Sequence, residues 1–244
     1  MLYHYTSLTT LCAIVNGIQD GNLFLRASNA KQMNDPNDCY YFVNIIGQIK
    51  RWDKYKIDTV CAEKEKFDTP YLISLSKWKD DLHMWNCYGE NGKGIVLGFD
   101  EKKMEEAIDN FYSRNHIFAR LYPCKYFSAS QIKNSIALSE IIKEDINENY
   151  WQRDEIKEIS NIIKHPGYKY EREYRIVIKH GTKEYTTEKI YNKEEDAFYL
   201  PISINAIKYI IAGPNANIEA IKKIFSNFFP KAKFERSLIP YRSK

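Results

Sequence analysis

Long apolar runs and paired cysteines are both missing from this 244-residue sequence. No stretch approaches the length of a membrane span, and the N-terminus lacks a basic region followed by an apolar run. We therefore expect a soluble, cytoplasmic protein with no membrane partner. The 5 cysteines are odd in number and include no C-x-x-C pair, which argues against a disulfide framework and a zinc ribbon. The predicted free thiols are Cys12, Cys39, Cys61, Cys87 and Cys124.

Glycine is also scarce, and no phosphate-binding glycine motif is present, because Gly92-Lys93-Gly94 is too short to form a P-loop. The formal net charge of +4 is mild. Only the tail from Lys222 onward is locally basic, with 7 Lys or Arg against the single acid Glu235. This is a weak nucleic-acid signal, and a solvated surface explains it better. We keep nucleic acid as a weakly supported candidate partner.

Aromatic residues are abundant, with 19 Tyr and 4 Trp. They favour wide pleated surfaces and a stacking pocket. Hydrophobic periodicity predicts one α+β domain over residues 1–244, with a helical insertion at about 129–165. The predicted strands are Leu2–Thr6, Asn22–Ala27, Tyr71–Ser76, Ile95–Phe99, Lys169–Lys179, Thr186–Ile190, Ala197–Pro201, Ile204–Ala212 and Lys233–Ile239. The predicted helices are Thr9–Val15, Cys39–Ile49 capped by Asp38, a surface helix within Arg51–Asp68, a short helix carrying Leu82, Trp85 and Tyr88, Glu101–Tyr112, two helices within Ser130–Lys164, and Ile218–Phe229.

The stretch Lys169–Lys179 has the pattern of a strand but an unusual amount of charge. In an extended chain Glu171, Glu173 and Arg175 would share one face. Two close carboxylates can hold a cation, position a sugar hydroxyl, or act as acid and base. If this face lines a cleft, Arg175 should pair with a carboxylate and lower its pKa. The alternative is a solvated edge strand whose charges prevent further pairing.

Three polar pairs lie on different predicted strands: His4 with Thr6, Ser74 with Ser76, and Glu171 with Glu173. Their order along the chain resembles the ADP-ribosyltransferase fold. The resemblance implies a split mixed β-sheet with flanking helices and NAD as the substrate. His4 stands where that pattern has His or Arg, and Leu75 stands where it usually has a hydroxyl.

The same resemblance implies roles for these residues. His4 would hold the adenosine-side ribose of NAD, while Ser74 and Ser76 would brace the nicotinamide pocket. Glu173 would be catalytic, because its carboxylate would stabilise the oxocarbenium-like state as nicotinamide leaves. Glu171 would help to activate the acceptor. The remaining candidates for cofactor binding are Thr6, Arg175 and, as stacking surfaces, Trp85 or Tyr88.

The whole chain also resembles a bacterial domain-of-unknown-function family whose members share four motifs. In this sequence they are Tyr3–Ser7, Asn34–Pro36, Met84–Tyr88 and Glu171–Arg175. This second resemblance implies no activity.

The first resemblance thus implies an ADP-ribosyltransferase-like enzyme that cleaves NAD and transfers ADP-ribose to an unknown acceptor, with bacterial conflict or phage defence as a candidate setting. The acceptor could be protein, nucleic acid or a small molecule. One alternative is a non-catalytic binding or interaction module. Another is a carboxylate-dependent hydrolase or nuclease that uses Asp35, Asp38, Glu171 and Glu173. We predict no metal site in the transferase.

Overall fold

The computed structural model describes residues 1–33, 37–179 and 190–240 and shows an α+β protein built on a mixed sheet. Its strands are β1 (Leu2–Thr6), β2 (Asn22–Asn29), β3 (Tyr71–Ser76), β4 (Ile95–Phe99), β5 (Ala119–Pro123), β6 (Lys125–Tyr126), β7 (Ile163–Lys164), β8 (Glu173–Ile178), β9 (Tyr191–Asn192), β10 (Ala197–Ser203), β11 (Ile207–Ala212) and β12 (Lys233–Arg236). Its α-helices are α1 (Leu8–Asn16), α2 (Tyr41–Lys50), α3 (Lys54–Phe67), α4 (Leu82–Tyr88), α5 (Glu101–Asn115), α6 (Ala129–Asn134), α7 (Ile136–Lys143), α8 (Glu148–Gln152), α9 (Asp154–Ile162) and α10 (Ile218–Phe225).

The large sheet splits at β3. One edge of β3 pairs along its whole length with β8, which in turn pairs with β5. The other edge is shared, because Tyr71 and Leu72 pair with β2 whereas Ser76 pairs with Tyr3 of β1. The middle of β3, around Ser74, pairs with neither strand on that edge. From this point one arm runs β1-β4-β11-β12 and the other runs β2-β10-β9.

The main hydrophobic core covers one face of this sheet. The stripe Met104, Ile108 and Phe111 of α5 has helical spacing and packs on it, as do Leu11 of α1 and Ile221 of α10. On the opposite face, a smaller cluster contains Tyr3, Tyr5, Met84, Trp85, Val96 and Ile211.

A separate helical unit has its own core. It contains α6 to α9, which fall in the predicted insertion, but α2 and α3 also contribute to it, as shown by Phe42 and Val60. The predicted pair of helices is in fact four, because Ser135, Asn147 and Arg153 adopt extended backbone conformations and interrupt the run. The predicted surface helix is also partly wrong, since Lys64 is buried and pairs with Asp68 at 3.3 Å.

Several boundary predictions hold and others need correction. The strands Leu2–Thr6, Tyr71–Ser76 and Ile95–Phe99 have the predicted bounds. Asp38 does not cap α2, which begins after Tyr40 without a side-chain cap. Residues 204–206 form a 3-10 turn before β11. The turn at Asn34–Pro36 and residues 186–189 of a predicted strand lie outside the described residues.

The acidic strand is shorter than predicted. Residues 166–171 form a 3-10 turn that ends at Arg172, whose φ of 42° and ψ of 50° are left-handed, and β8 begins only at Glu173. Glu171 is therefore on a turn and not on the strand. The edge-strand alternative is wrong, because the unpredicted β5 covers the free side of β8.

Within the described residues, no helix has the length and apolar character needed to span a membrane.

Candidate functional site

A cavity of about 200 Å³ opens where the sheet splits. It is enclosed by β1, β3, α4 and the segment from β7 to β8. Its walls are Tyr3, His4, Tyr5, Met33, Asp38, Ser74, Leu75, Ser76, Met84, Tyr88, Lys164, Tyr168, Glu171 and Glu173. The site candidates that line it are His4, Ser74, Ser76, Tyr88, Glu171 and Glu173. The fold thus brings together residues that are distant in sequence.

The two glutamates are bridged by a lysine. The Nζ atom of Lys164 lies 2.7 Å from Oε2 of Glu171 and 2.7 Å from Oε2 of Glu173. Burial alone would lower the pKa of Lys164, but the Glu173 and Glu171 carboxylates outweigh it and raise that pKa above its usual value. Lys164 is therefore a permanent cation between the two acids.

Arg175 binds Glu173 from the other side. Its Nε donates to Oε1 of Glu173 at 2.9 Å, and its other nitrogens donate to Asp38 at 2.7 Å and to the carbonyl of Asn161 at 2.8 Å. Burial would raise the pKa of Glu173, but Arg175 and Lys164 lower it to about 2. The expected pairing of Arg175 with an acid is present, and Glu173 stays ionised at neutral pH.

Glu171 is held differently. Glu171 is only 3% exposed although it lies on a turn. Its Oε1 accepts a 2.6 Å hydrogen bond from the hydroxyl of Tyr88. The carbonyl oxygen of Glu171 accepts a 2.7 Å hydrogen bond from Ser76, whose Oγ in turn accepts from the backbone N–H of Trp78 at 3.0 Å. The Ser76 hydroxyl therefore fixes the turn that carries Glu171.

The backbone of Glu173 is fixed as well. Its N–H donates to the hydroxyl of Tyr126 at 2.8 Å, and its carbonyl accepts from the N–H of Cys124 at 2.9 Å. Because Tyr126 belongs to β6, which pairs in parallel with β7, the same small sheet positions Lys164 and Glu173. Backbone contacts therefore fix the positions of both Lys164 and Glu173, which form an ion pair.

His4 crosses the gap in the split sheet. Its Nδ1 lies 3.0 Å from the carbonyl oxygen of Ser74, so Nδ1 carries the proton and donates. Burial lowers the pKa of His4, although the bond to Ser74 opposes this. The ring is therefore neutral at pH 7, and its Nε2 is a hydrogen-bond acceptor.

Three predicted cofactor-binding residues lie outside the cavity wall. Thr6 is buried opposite Ile95 in the sheet. Trp85 is fully buried, packs edge-on against Tyr5 and donates to Asp80, so it belongs to the core and offers no stacking surface. Arg175 is 0% exposed and its guanidinium binds protein groups, which makes it a structural cation and corrects its assignment to NAD binding.

The sequence did not predict that Lys164 and Tyr168 line the cavity. In the transferase interpretation it also did not place Asp38 at the site. Lys164 was predicted as the last residue of a helical run, but it lies in β7, and no periodicity in the sequence marks it as inward-facing. Asp38 was predicted as a helix cap, but its carboxylate accepts from Arg175 and from the N–H of Cys39. Only tertiary contacts reveal these partners.

Among the described residues, Asp38, Glu171 and Glu173 form ion pairs only with Lys164 and Arg175, so the formal charges of these five side chains sum to minus one. Over residues 1–33, 37–179 and 190–240, no group of three or more His, Cys, Asp or Glu has the spacing to hold a metal ion. The ammonium of Lys164 lies between the two glutamates, where a bridging metal would have to bind.

His4 also contributes to the wall of a second cavity, of about 450 Å³. This cavity lies beside α1 and includes Gln19, Arg26 and Tyr199. His4 is thus placed between two cavities on either side of the split.

Comparison with known proteins gives a match to a family model. No curated protein and no solved structure matches the chain. A family model does match residues 84–176. This range contains the bridging Lys164 and the predicted site residues Trp85, Tyr88, Glu171, Glu173 and Arg175. At residues 84–176 the chain therefore carries a domain of the family described as protein of unknown function (DUF2971).

Proposed function

We propose that this protein is an ADP-ribosyltransferase-like enzyme that cleaves NAD and transfers ADP-ribose to an acceptor. The observation that carries the proposal is the convergence of His4, Ser74, Ser76, Glu171 and Glu173 on one cavity at a split in the sheet. These are the residues whose order along the chain resembles that fold, and they come from separate strands and a turn.

The charge of the cavity suits this chemistry. In the reaction, the bond between the ribose C1′ and the nicotinamide nitrogen breaks, and nicotinamide leaves with the electron pair. Positive charge moves from the nicotinamide ring to the ribose, whose C1′ is then attacked by the acceptor. A net negative, partly apolar cavity stabilises that ribosyl cation as it develops.

The proposed roles follow from the contacts. Glu173 supplies a fixed negative charge, since Arg175 and Lys164 hold its pKa at about 2. Glu171 takes the proton of the acceptor. Its carboxylate is hydrogen-bonded to Tyr88, which lies in the same cavity wall and is 39% exposed, so an acceptor that reaches Tyr88 also reaches Glu171. His4, whose Nδ1 donates to Ser74, offers its Nε2 as an acceptor to a ribose hydroxyl.

The volumes of the two cavities favour a different location for each half of the dinucleotide. About 200 Å³ is smaller than the roughly 300–1,000 Å³ of typical ligand pockets. The cavity would enclose the nicotinamide and its ribose. The adenosine half would lie beyond His4, next to the second cavity of about 450 Å³.

The test is nicotinamide release from NAD by the purified protein. Glu171→Gln keeps the shape of the side chain but removes the base, so transfer to an acceptor should fall by about 100-fold or more, and bare hydrolysis should fall less. Glu105→Gln removes an exposed glutamate of α5 and should change neither rate. Folded wild-type protein that neither binds nor consumes NAD would eliminate the transferase.

The metal-dependent alternative is less well supported. Asp35 lies outside the described residues, and the carboxylate of Asp38 is paired with Arg175. A non-catalytic module would bind NAD or another ligand without turnover, so the same assay separates it from the enzyme. The setting of bacterial conflict or phage defence stays a prediction from the resemblance.

A further inference from the structure

The turn that buries Glu171 directs the next residue outward. Arg172 has a left-handed backbone, with φ of 42°, and its side chain is exposed. A residue other than glycine adopts this conformation at an energetic cost, and such outliers concentrate at functional sites. The guanidinium of Arg172 stacks on the ring of Trp78, 4.1 Å from its centroid.

Two more cation–π pairs lie beside the pair of Arg172 and Trp78. Lys169 lies 5.1 Å from the ring centroid of Tyr170, and Lys79 lies 4.4 Å from that of Tyr209. The three pairs adjoin, because Trp78 donates to the carbonyl of Tyr170 at 2.9 Å and precedes Lys79. We call the surface formed by Trp78, Lys79, Lys169, Tyr170, Arg172 and Tyr209 the basic rim.

The basic rim is attached directly to the cavity wall. The N–H of Trp78 donates to Ser76, and the Ser76 hydroxyl donates to the carbonyl of Glu171. The N–H of Lys77 donates to the carbonyl of Arg172 at 3.1 Å. A ligand on the rim is therefore next to Glu171.

The rim and the cavity have opposite charges. Among the described residues, neither Lys169 nor Arg172 belongs to an ion pair. Lys79 and Lys233 share one acid, Glu235, which lies 2.6 Å from each lysine, so these three side chains carry one net positive charge. A ligand that fits both regions has anionic groups on the outside and a neutral or nucleophilic group that enters the cavity.

We propose that the basic rim binds single-stranded nucleic acid and presents a base to the cavity as the acceptor of ADP-ribose. Lys79, Lys169 and Arg172 contact phosphates, while the ring of Tyr170, a residue that is 62% exposed, stacks with a base. An acidic peptide would match the charge but would leave the aromatic planes unused. The acceptor role rests on the proposed function, whereas binding does not.

The step is balanced without a further reactant. A base nitrogen or oxygen forms the new bond to C1′ of the ribose as nicotinamide departs. Glu171 takes the proton that the base loses. NAD supplies the ADP-ribose, and no oxidant or reductant is needed.

Binding is tested by the anisotropy of a fluorescein-labelled oligothymidylate in a series from about 50 to 200 mM salt. Wild-type protein should bind, with affinity that falls as salt rises. Arg172→Gly keeps the left-handed backbone but removes the guanidinium, so it should reduce the slope of log K against log salt by about 0.7. Tyr170→Ala should weaken binding by about 5- to 150-fold.

Lys133→Ala is the matched control, because it removes one exposed lysine from α6, which belongs to neither the rim nor the basic tail, and should leave the slope unchanged. No binding by wild-type protein would overturn the inference. Wild-type affinity and slope in both rim variants would overturn it too. So would a labelled oligoglutamate that binds as tightly as the oligonucleotide.

Nicotinamide release by wild-type protein, measured in parallel with labelled NAD, separates the two proposals. Release without oligonucleotide binding overturns the rim and leaves the proposed function intact. Binding without release supports the rim and contradicts the enzyme. Transfer of label to the oligonucleotide supports the acceptor assignment, and release with binding but no transfer overturns it.

Discussion

Arg175 shows at the residue scale how the buried charges are maintained. It is fully buried, and its guanidinium faces Glu173 and Asp38 at 2.9 and 2.7 Å. Removing charges from water is costly, so such a network adds little net stability, but deleting one partner leaves the others uncompensated. The network therefore fixes geometry more than it adds free energy.

Arg175→Met should lower the free energy of unfolding by about 3–5 kcal/mol, because it leaves two buried acids without this partner. Urea denaturation measures the loss. Lys31→Met is the control, since its pair with Glu65 is partly exposed and contributes only about 0–1 kcal/mol. Equal effects of the two substitutions would mean that the Arg175 network is solvated.

The same contacts decide which glutamate is the better probe of catalysis. Glu173→Gln would remove the charge that faces both Arg175 and Lys164, so lost activity would be mixed with lost stability. Glu171 has one cation and one hydroxyl as partners, and its amide variant is the cleaner test.

His4 gives a pH prediction whose sign follows from its lowered pKa. The unfolded chain protonates His4 near pH 6.5, whereas the folded protein resists protonation until lower pH. Stability should therefore fall as pH drops below about 6.5. His4→Gln removes this titration, so its free energy of unfolding should change less than that of wild type between pH 7.5 and 5. Identical pH dependence in both proteins would show that His4 protonates freely.

At the scale of elements, the sequence is informative where local pattern decides structure. Tyr71–Ser76 alternates in polarity and is β3, and Asp81 and Asn217 cap α4 and α10 as their types favour. The split sheet could be predicted only through the resemblance. Its ADP-ribosyltransferase type stays a prediction.

The acidic segment shows where pattern reasoning stops. Alternation over Lys169–Lys179 predicts one continuous strand, and nothing in the residue types indicates that Arg172 is left-handed. The carboxylates of Glu171 and Glu173 still converge, but through a turn and a shared lysine. Lys164 and Asp38 could not be assigned their ion pairs from the sequence, since charge partners distant along the chain leave no periodic signal.

On the scale of the whole molecule, the site joins the helical unit to the sheet. The segment that enters α2 supplies Asp38, while α9 and β7 supply Asn161 and Lys164. The sheet side supplies Glu173 and Arg175 on β8. The charges of the site therefore form part of the interface between the two regions.

This arrangement predicts energetic coupling through Lys164. In a double-mutant cycle of Lys164→Met and Glu171→Gln, the interaction energy in urea denaturation should exceed about 1 kcal/mol, within the range for contacting buried groups. The exposed pair Lys31→Met and Glu65→Gln should couple by less than that. Lys164→Met should also speed amide exchange in both β7 and β8, since it removes the cation that holds the two acids together. Faster exchange in β7 alone, with no coupling energy, would show that the helical unit and the sheet are held together by their apolar contacts and that Lys164 only neutralises charge.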